Sequence, residues 1–182
     1  MDTCYQEKYK TEIDGILQEM RVVLQAARAQ QQGKDYYTVM QHYGPVDTLL
    51  PVNEKALKLA AARWSLPQDY SYFLSHFLPG RILWSNPHYY MLNLFGAEHL
   101  NRWQQGYSVE AGGGAPRKGW PANMLVIALS GGEAYCVDTT LAFSPVYHCC
   151  AGAQAFTQHA PTLVDFLKSV VEQGHPNIPE TE

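Results

Sequence analysis

The hydrophobic spacing of this chain changes character at Pro79-Gly80, and that change limits the fold more than any other feature. Ahead of it, apolar residues recur every three or four positions. Behind it they come mostly in short runs and alternations broken by glycine turns, with one short helical stretch from Ala97 to Gln104, and a long helical pattern returns only after Pro161. Tyr5 to Gln32 carries Tyr9, Ile13, Ile16, Leu17, Met20, Val23, Leu24 and Ala27 at helical intervals, without proline and with Gly33 as the stop. A tyrosine-rich connector follows, Gly33 to Val52, closed by Gly44-Pro45 and Pro51. Asn53 is placed to N-cap a second helix, Glu54 to about Arg63, with Ala56, Leu57, Leu59 and Ala60 as its apolar positions. A third helix is expected from Ser65-Leu66-Pro67-Gln68, with Ser65 and Gln68 as a capping box. Tyr70, Phe73, Leu74 and Phe77 form its buried stripe.

Beyond Pro79-Gly80, Arg81 to Ser85 and Tyr89 to Leu94 read as short strands, and Ala97 to Gln104 as a short helix. Gly106 to Gly119, with three consecutive glycines, reads as a loop. Met124 to Leu129 is a β-rich apolar run, Gly131-Gly132 a hairpin turn, Glu133 to Thr139 an alternating return strand, and Pro145 to Cys149 a third strand. Pro161 to Gln173 closes the chain as a helix lined by Leu163, Val164, Phe166, Leu167, Val170 and Val171, and the tail 177–182 is expected to fray. N-terminal helices, an antiparallel meander and a closing C-terminal helix make an α+β fold rather than a βαβ alternation.

A length of 182 residues suits one domain with an appendage. The longest aliphatic run, Met124 to Leu129, is far short of the ~20 residues of a membrane span, and the first residues lack the basic and apolar regions of a signal peptide. Thirteen Lys/Arg against seventeen Asp/Glu give a net charge of −4, which argues against a nonspecific nucleic-acid binder. Cys4, Cys136, Cys149 and Cys150 form neither a CxxC pair nor a disulfide ladder, so the expected compartment is reducing and cytoplasmic.

Catalytic chemistry is not evident in the spacing. None of the seven histidines forms an HxxxH, HExxH or Cys/His ligand pattern, so no metal and no cofactor is expected. Gly112-Gly113-Gly114 is not followed by a GK[ST] sequence, and Ser130-Gly131-Gly132 is a turn rather than a nucleophile elbow. His148 and Cys149 are neighbours on a strand and therefore face opposite ways. The expectation is a protein that is not an enzyme.

Four segments, in order, resemble the SUKH superfamily, known for bacterial immunity proteins and a yeast cell-wall-assembly regulator. The first is the Glu54-Lys55-Ala56-Leu57 helix running into Leu66-Pro67-Gln68-Asp69-Tyr70-Ser71-Tyr72-Phe73-Leu74. The second is Trp120-Pro121 followed by Leu125 to Asp138, an aliphatic strand, a glycine turn and a strand ending in aspartate. The third is Pro145-Val146-Tyr147, and the fourth the terminal segment from Ala160 to Leu167, ending Asp165-Phe166-Leu167. The family often follows its Phe-Leu helix with Asn-Gly, where this chain has Leu78-Pro79-Gly80. The domain division drawn from the resemblance is an N-terminal extension over 1–52, a SUKH-like domain over 53–176 and a tail over 177–182. The long first helix then either packs on the core or mediates association.

The resemblance implies a non-enzymatic immunity protein that binds and neutralises a cognate bacterial toxin; the alternative is a regulatory interaction module with a non-toxin partner. Charge suggests where such a partner docks. Residues 54–118 hold seven Lys/Arg and four Asp/Glu, whereas 119–182 hold one lysine and six acids. Toxins that act on nucleic acid have basic grooves that an acidic surface can occupy. The expected partner-binding positions are therefore Glu133 and Asp138, with Tyr147 as an aromatic anchor. The competing reading of Asp138 is a turn cap.

Overall fold

The structure is a computed structural model that describes residues 3–30, 52–76, 81–85, 88–89, 91–109, 117–150, 155–172 and 175–176. Helices α1 (Thr3–Gln30), α2 (Glu54–Arg63) and α3 (Gln68–His76) precede strands β1 (Arg81–Ser85) and β2 (Leu92–Phe95). Helix α4 (Ala97–Ser108) then leads to β3 (Met124–Ser130), β4 (Glu133–Asp138), β5 (Val146–Cys149) and β6 (Thr157–Ala160), before α5 (Leu163–Val171) and a short β7 (His175–Pro176). One antiparallel sheet runs in the order β6-β5-β4-β3-β2-β1-β7. The fold is α+β, with helices at the start and a helix near the end of the chain.

Local chemistry accounts for most of these boundaries. The Asn53 side chain accepts from the Ala56 N–H at 3.1 Å, and the Thr162 hydroxyl accepts from the Asp165 N–H at 3.0 Å, so α2 and α5 both start on a side-chain cap. Gly131 and Gly132 take φ of 56° and 88°, the pair of positive values that a two-residue hairpin between β3 and β4 needs. Gln104 is buried on α4 and pins that helix to the sheet. Its amide donates to the Met124 carbonyl and accepts from the Val126 N–H, both at 2.9 Å, beside the register shift between Val126 and Ala128.

Several boundaries differ from the sequence reading. Helix α3 begins at Gln68, at the end of the expected Ser65–Gln68 start and too late for Ser65 to be its N-cap, because the Gln68 N–H is taken by the Ala142 carbonyl at 2.6 Å and the first helical bond runs from Ser71 back to Pro67. Strand β2 starts at Leu92, after Met91 turns the backbone at a φ of 56°. Helix α4 continues through Gly106 to Ser108, whose hydroxyl donates to the Gln104 carbonyl at 2.7 Å. Strands β6 and β7 were not expected at all. Phe77, Pro79-Gly80, the connector over 33–51 and the tail over 177–182 lie outside the described residues.

Both faces of the sheet are covered. Alternation puts Tyr135 and Val137 on the face packed by α5, where the rings of Tyr89, Tyr135 and Phe166 meet at 5.5–6.0 Å. Phe95 stacks on Trp103 of α4 at 5.2 Å, and the register carries Phe95, Ala134 and Cys136 to that opposite face. Helix α1 lies against α5, α3 and β7, and Tyr9, Ile13, Ile16, Leu17, Met20 and Leu24 join the same core as the sheet. Of the two roles open to α1, packing on the core is the one the structure displays. Glu12 receives Lys168 of α5 at 2.8 Å, and Asp14 receives the Tyr72 hydroxyl of α3 at 2.9 Å. Among the described residues, no helix is long and apolar enough to cross a membrane.

Candidate partner-binding surfaces

Strand β4 carries two of the three expected contact residues and separates them. Glu133 and Asp138 stand five positions apart. They therefore point to opposite faces from opposite ends of a strand, about 17 Å apart at the usual rise per residue. Tyr147 pairs with Cys136 and shares the face of Asp138, one step along the neighbouring strand. The structure thus brings Asp138 and Tyr147 to the α4 side and leaves Glu133 on the α5 side.

Glu133 sits at the hairpin end, half-buried among titratable groups. Its carboxylate accepts from the Cys150 thiol at 3.4 Å and from the Tyr135 hydroxyl at 3.4 Å. The hydrogen bond to Glu133 raises the Cys150 pKa, and burial, then the charge of Glu133, raises that of Tyr135. His159 lies behind them, its Nε2 2.7 Å from the Tyr89 hydroxyl, which also meets the Ser169 hydroxyl at 2.8 Å. Burial, and then the neighbouring His148, pulls the His159 pKa below its ordinary value, against the opposing charge of Glu133. Cys149, the strand neighbour of His148, is buried, while Cys150 is exposed.

Asp138 is a turn cap. One carboxylate oxygen accepts from the Thr140 N–H at 2.8 Å and from the Thr140 hydroxyl at 2.6 Å, closing the bend after β4. Burial works to raise its pKa, but hydrogen bonds from Thr140 and Asn123 outweigh it and hold the carboxyl below its ordinary value. Tyr147 is half-buried.

Sequence reasoning missed a groove between α2 and α4. It encloses about 420 Å³ and is floored by Ala56, Ala60 and Ala97, with Leu59 and Trp64 as walls. Leu59, expected among the inward positions of α2, is 63% exposed, the highest exposure among the large hydrophobic residues described. The reason is angular: Leu57 and Leu59 are two positions apart, about 200° around a helix, so one apolar face cannot take both. Leu57 packs against the core and Leu59 faces out. That incompatible pair is the signal in the sequence that could have exposed the site.

Side-chain hydrogen bonds tie both ends of α2 to one turn of α4. The Asn53 amide donates to the Glu98 carboxylate, and the Arg63 guanidinium donates to the Asn101 side chain. Arg63 also lies 5.0 Å from the Trp64 ring.

The profile of the SMI1 / KNR4 family (SUKH-1) matches residues 51–169, nearly two thirds of the chain, from the start of α2 into α5. The chain belongs to this family. The matched span of the SUKH-1 chain holds the groove, the β3–β4 hairpin and Glu133, Asp138 and Tyr147 alike, while α1 lies ahead of it. No curated protein and no solved structure matches the chain.

Proposed function

We propose that this SUKH-1 chain is a non-enzymatic immunity protein that binds and neutralises a cognate bacterial toxin through a protein–protein interface, without a cofactor. Family membership carries the reading. The charge distribution supports it, because the chain's last third is acidic and Glu133 stands next to the exposed Gly131-Gly132 turn. Of the three expected contacts, Glu133 is the one to test first, because its bonds from Cys150 and Tyr135 are long, at 3.4 Å, whereas the Asp138 carboxylate is held at 2.6–2.8 Å by its own turn.

The experiment has two stages. The chain is first co-purified with the product of the adjacent upstream gene, and a stable complex with a toxin whose activity it suppresses is the expected result. Absence of a complex would sink the immunity reading and favour a regulatory partner. Association rates of wild type and Glu133→Lys are then followed against salt. Electrostatic steering predicts a slower variant at low salt that converges with wild type at high salt. Equal rates throughout would remove Glu133 from the docking face.

A further inference from the structure

We propose that the open edge of β6 takes an extended segment of the protein partner as an added strand, held through the outward peptide groups of Gln158. The inference rests on the reading of this chain as a protein-binding module and names the backbone form of what it binds.

The two edges of the sheet differ. β7 closes one of them with two residues, and the second is Pro176, so little is left there to pair with. At the other edge, no strand pairs with the outer side of β6 among the described residues. Its Thr157, Gln158 and His159 are exposed, and the strand carries no lysine, carboxylate or proline of the kind that blunts an edge.

Hydrogen-bond phase shows which peptide groups face out. In an antiparallel ladder the N–H and C=O of one residue point to the same side, and successive residues alternate. The two-residue Gly131-Gly132 turn makes Ser130 and Glu133 a bonded pair, so Glu133 and Tyr135 bond toward β3 while Ala134 and Cys136 bond toward β5. Carried across the register, Cys149 and Tyr147 bond to β4, whereas His148 and Val146 bond to β6. Thr157 therefore bonds inward to His148, and the N–H and C=O of Gln158 point off the sheet. The phase has a check in β3. It sends Val126 away from β4, and the Val126 N–H is taken by Gln104 at 2.9 Å.

A bulge limits the length of the addition. Val146 faces Ala160 while Tyr147 faces Gln158, which leaves His159 as an extra residue. Its ring is turned onto the α5 face, 5.0 Å from Tyr135 and 6.0 Å from Phe166, with Nε2 2.7 Å from the Tyr89 hydroxyl. An added strand therefore stops at Gln158 and runs from there past Phe156.

The occupant follows from these limits. Unpaired N–H and C=O groups on a strand edge fit an extended backbone, and the side chains of the added strand find their specificity on the two faces. On the α4 side they meet Tyr147, opposite Gln158, and the half-buried Phe156, which packs on Trp120 at 5.1 Å. On the α5 side they meet Thr157 and His148. So short a strand covers far less than the ~1,200–2,000 Å² of a stable complex, so it belongs to a larger interface. A partner shaped to this chain can supply the rest. A second copy is the poorer candidate, because β6 has no large exposed hydrophobic residue for it to bury.

The test uses the full chain with Gln158→Pro and Gln158→Ala. Proline removes an N–H that the β5–β6 ladder does not use, and an edge strand tolerates it there. Against the toxin, Gln158→Pro is expected to weaken binding about tenfold or more, while Gln158→Ala keeps the peptide group and stays within roughly threefold of wild type. Equal binding by all three, or an equal loss in both variants, would overturn strand addition and leave the immunity reading intact. Amide exchange needs no variant: the Gln158 N–H should exchange freely in the free chain and slow in the complex. Protection in the free chain, or none in the complex, would overturn the proposal. So would a doubled mass of the free chain by light scattering that Gln158→Pro abolishes, since the edge would then belong to a second copy.

If the toxin does not bind wild type, the immunity reading fails and a second arm decides the edge. Its probes are a dye-labelled peptide of repeated Thr-Val units and the same peptide N-methylated at every second residue. Binding of the first alone, lost in Gln158→Pro and kept in Gln158→Ala, supports the proposal. No binding of the first probe, equal binding of the methylated one, or binding unaffected by Gln158→Pro would overturn it.

Discussion

Helices α2 and α5 are nearly the same length and start in the same way, yet they do different work. α2 has ten residues and α5 nine, and each begins on a side-chain cap, Asn53 or Thr162. In α5, Leu163, Val164, Phe166, Leu167, Val170 and Val171 are buried; in α2 only Ala60 is. Local signals thus make both helices, while burial separates one that holds the fold together from one that is displayed on it. Most helical stability in a folded protein comes from a packed apolar face, so α5 should dominate the energetics and α2 the surface chemistry.

The strongest way to break this contrast is to empty the α5 side. Phe166 is fully buried, with ring contacts to Tyr135 at 5.5 Å and to Tyr89 and His159 at 6.0 Å. Phe166→Ala is expected to cost about 3–5 kcal/mol, from lost transfer energy and the cavity left behind. That is a large part of the ~5–15 kcal/mol available to a typical domain. Denaturant melts of the two proteins measure it. A loss below about 1 kcal/mol would mean that α5 is no more structural than α2.

The caps sharpen the comparison because they should not differ. Thr162→Ala removes the acceptor for the Asp165 N–H, and Asn53→Ala the acceptor for the Ala56 N–H. Each is expected to cost about 0.5–2 kcal/mol by the same melts. Asn53→Ala also releases the Glu98 contact to α4.

What was legible in the sequence follows the same division. The stripe of α5, the α1 stripe of Ile13, Leu17 and Met20, and the Gly131-Gly132 hairpin were readable because each is a pattern within one short segment. Strand β6 was not: it is an edge strand whose Thr157, Gln158 and His159 are all exposed, so it has no apolar alternation to show. The end of α4 was obscured by Gly106, a residue that reads as a loop but costs a packed helix only ~1 kcal/mol. At the site, the capping role of Asp138 could be weighed from its place at a strand end. The groove could not, because Asn53 meets Glu98 and Arg63 meets Asn101 across about forty residues of chain with no spacing to mark them.

A pH titration probes the α5 side alone. His159 touches Phe166, and its folded pKa lies below the ordinary 6.5 through the partial burial of its ring and the nearby His148. Between the folded and unfolded values the unfolded chain binds more protons, so stability is highest above 6.5 and falls as pH drops toward the folded pKa. His88, His148, Glu133 and Tyr135 face the same region, so the test is differential. Thermal melts from pH 8 to 5 are expected to show a steeper loss for wild type than for His159→Gln. Parallel curves would mean that His159 titrates alike in both states.

The smallest expected effect belongs to Leu59→Glu. Leu59 is 63% exposed, so its removal takes little apolar surface out of the core. Leucine and glutamate are both good helix formers. A glutamate at 59 would stand four residues after Lys55 and four before Arg63. Such pairs add roughly 0.2–0.5 kcal/mol each to a helix, less whatever Arg63 gives up in leaving Asn101. The net change should therefore stay within about 0.5 kcal/mol of wild type. Urea midpoints with an unchanged slope would record it. A loss above about 1 kcal/mol would place Leu59 in the packed structure. Stability that holds would locate α2's contribution at its surface.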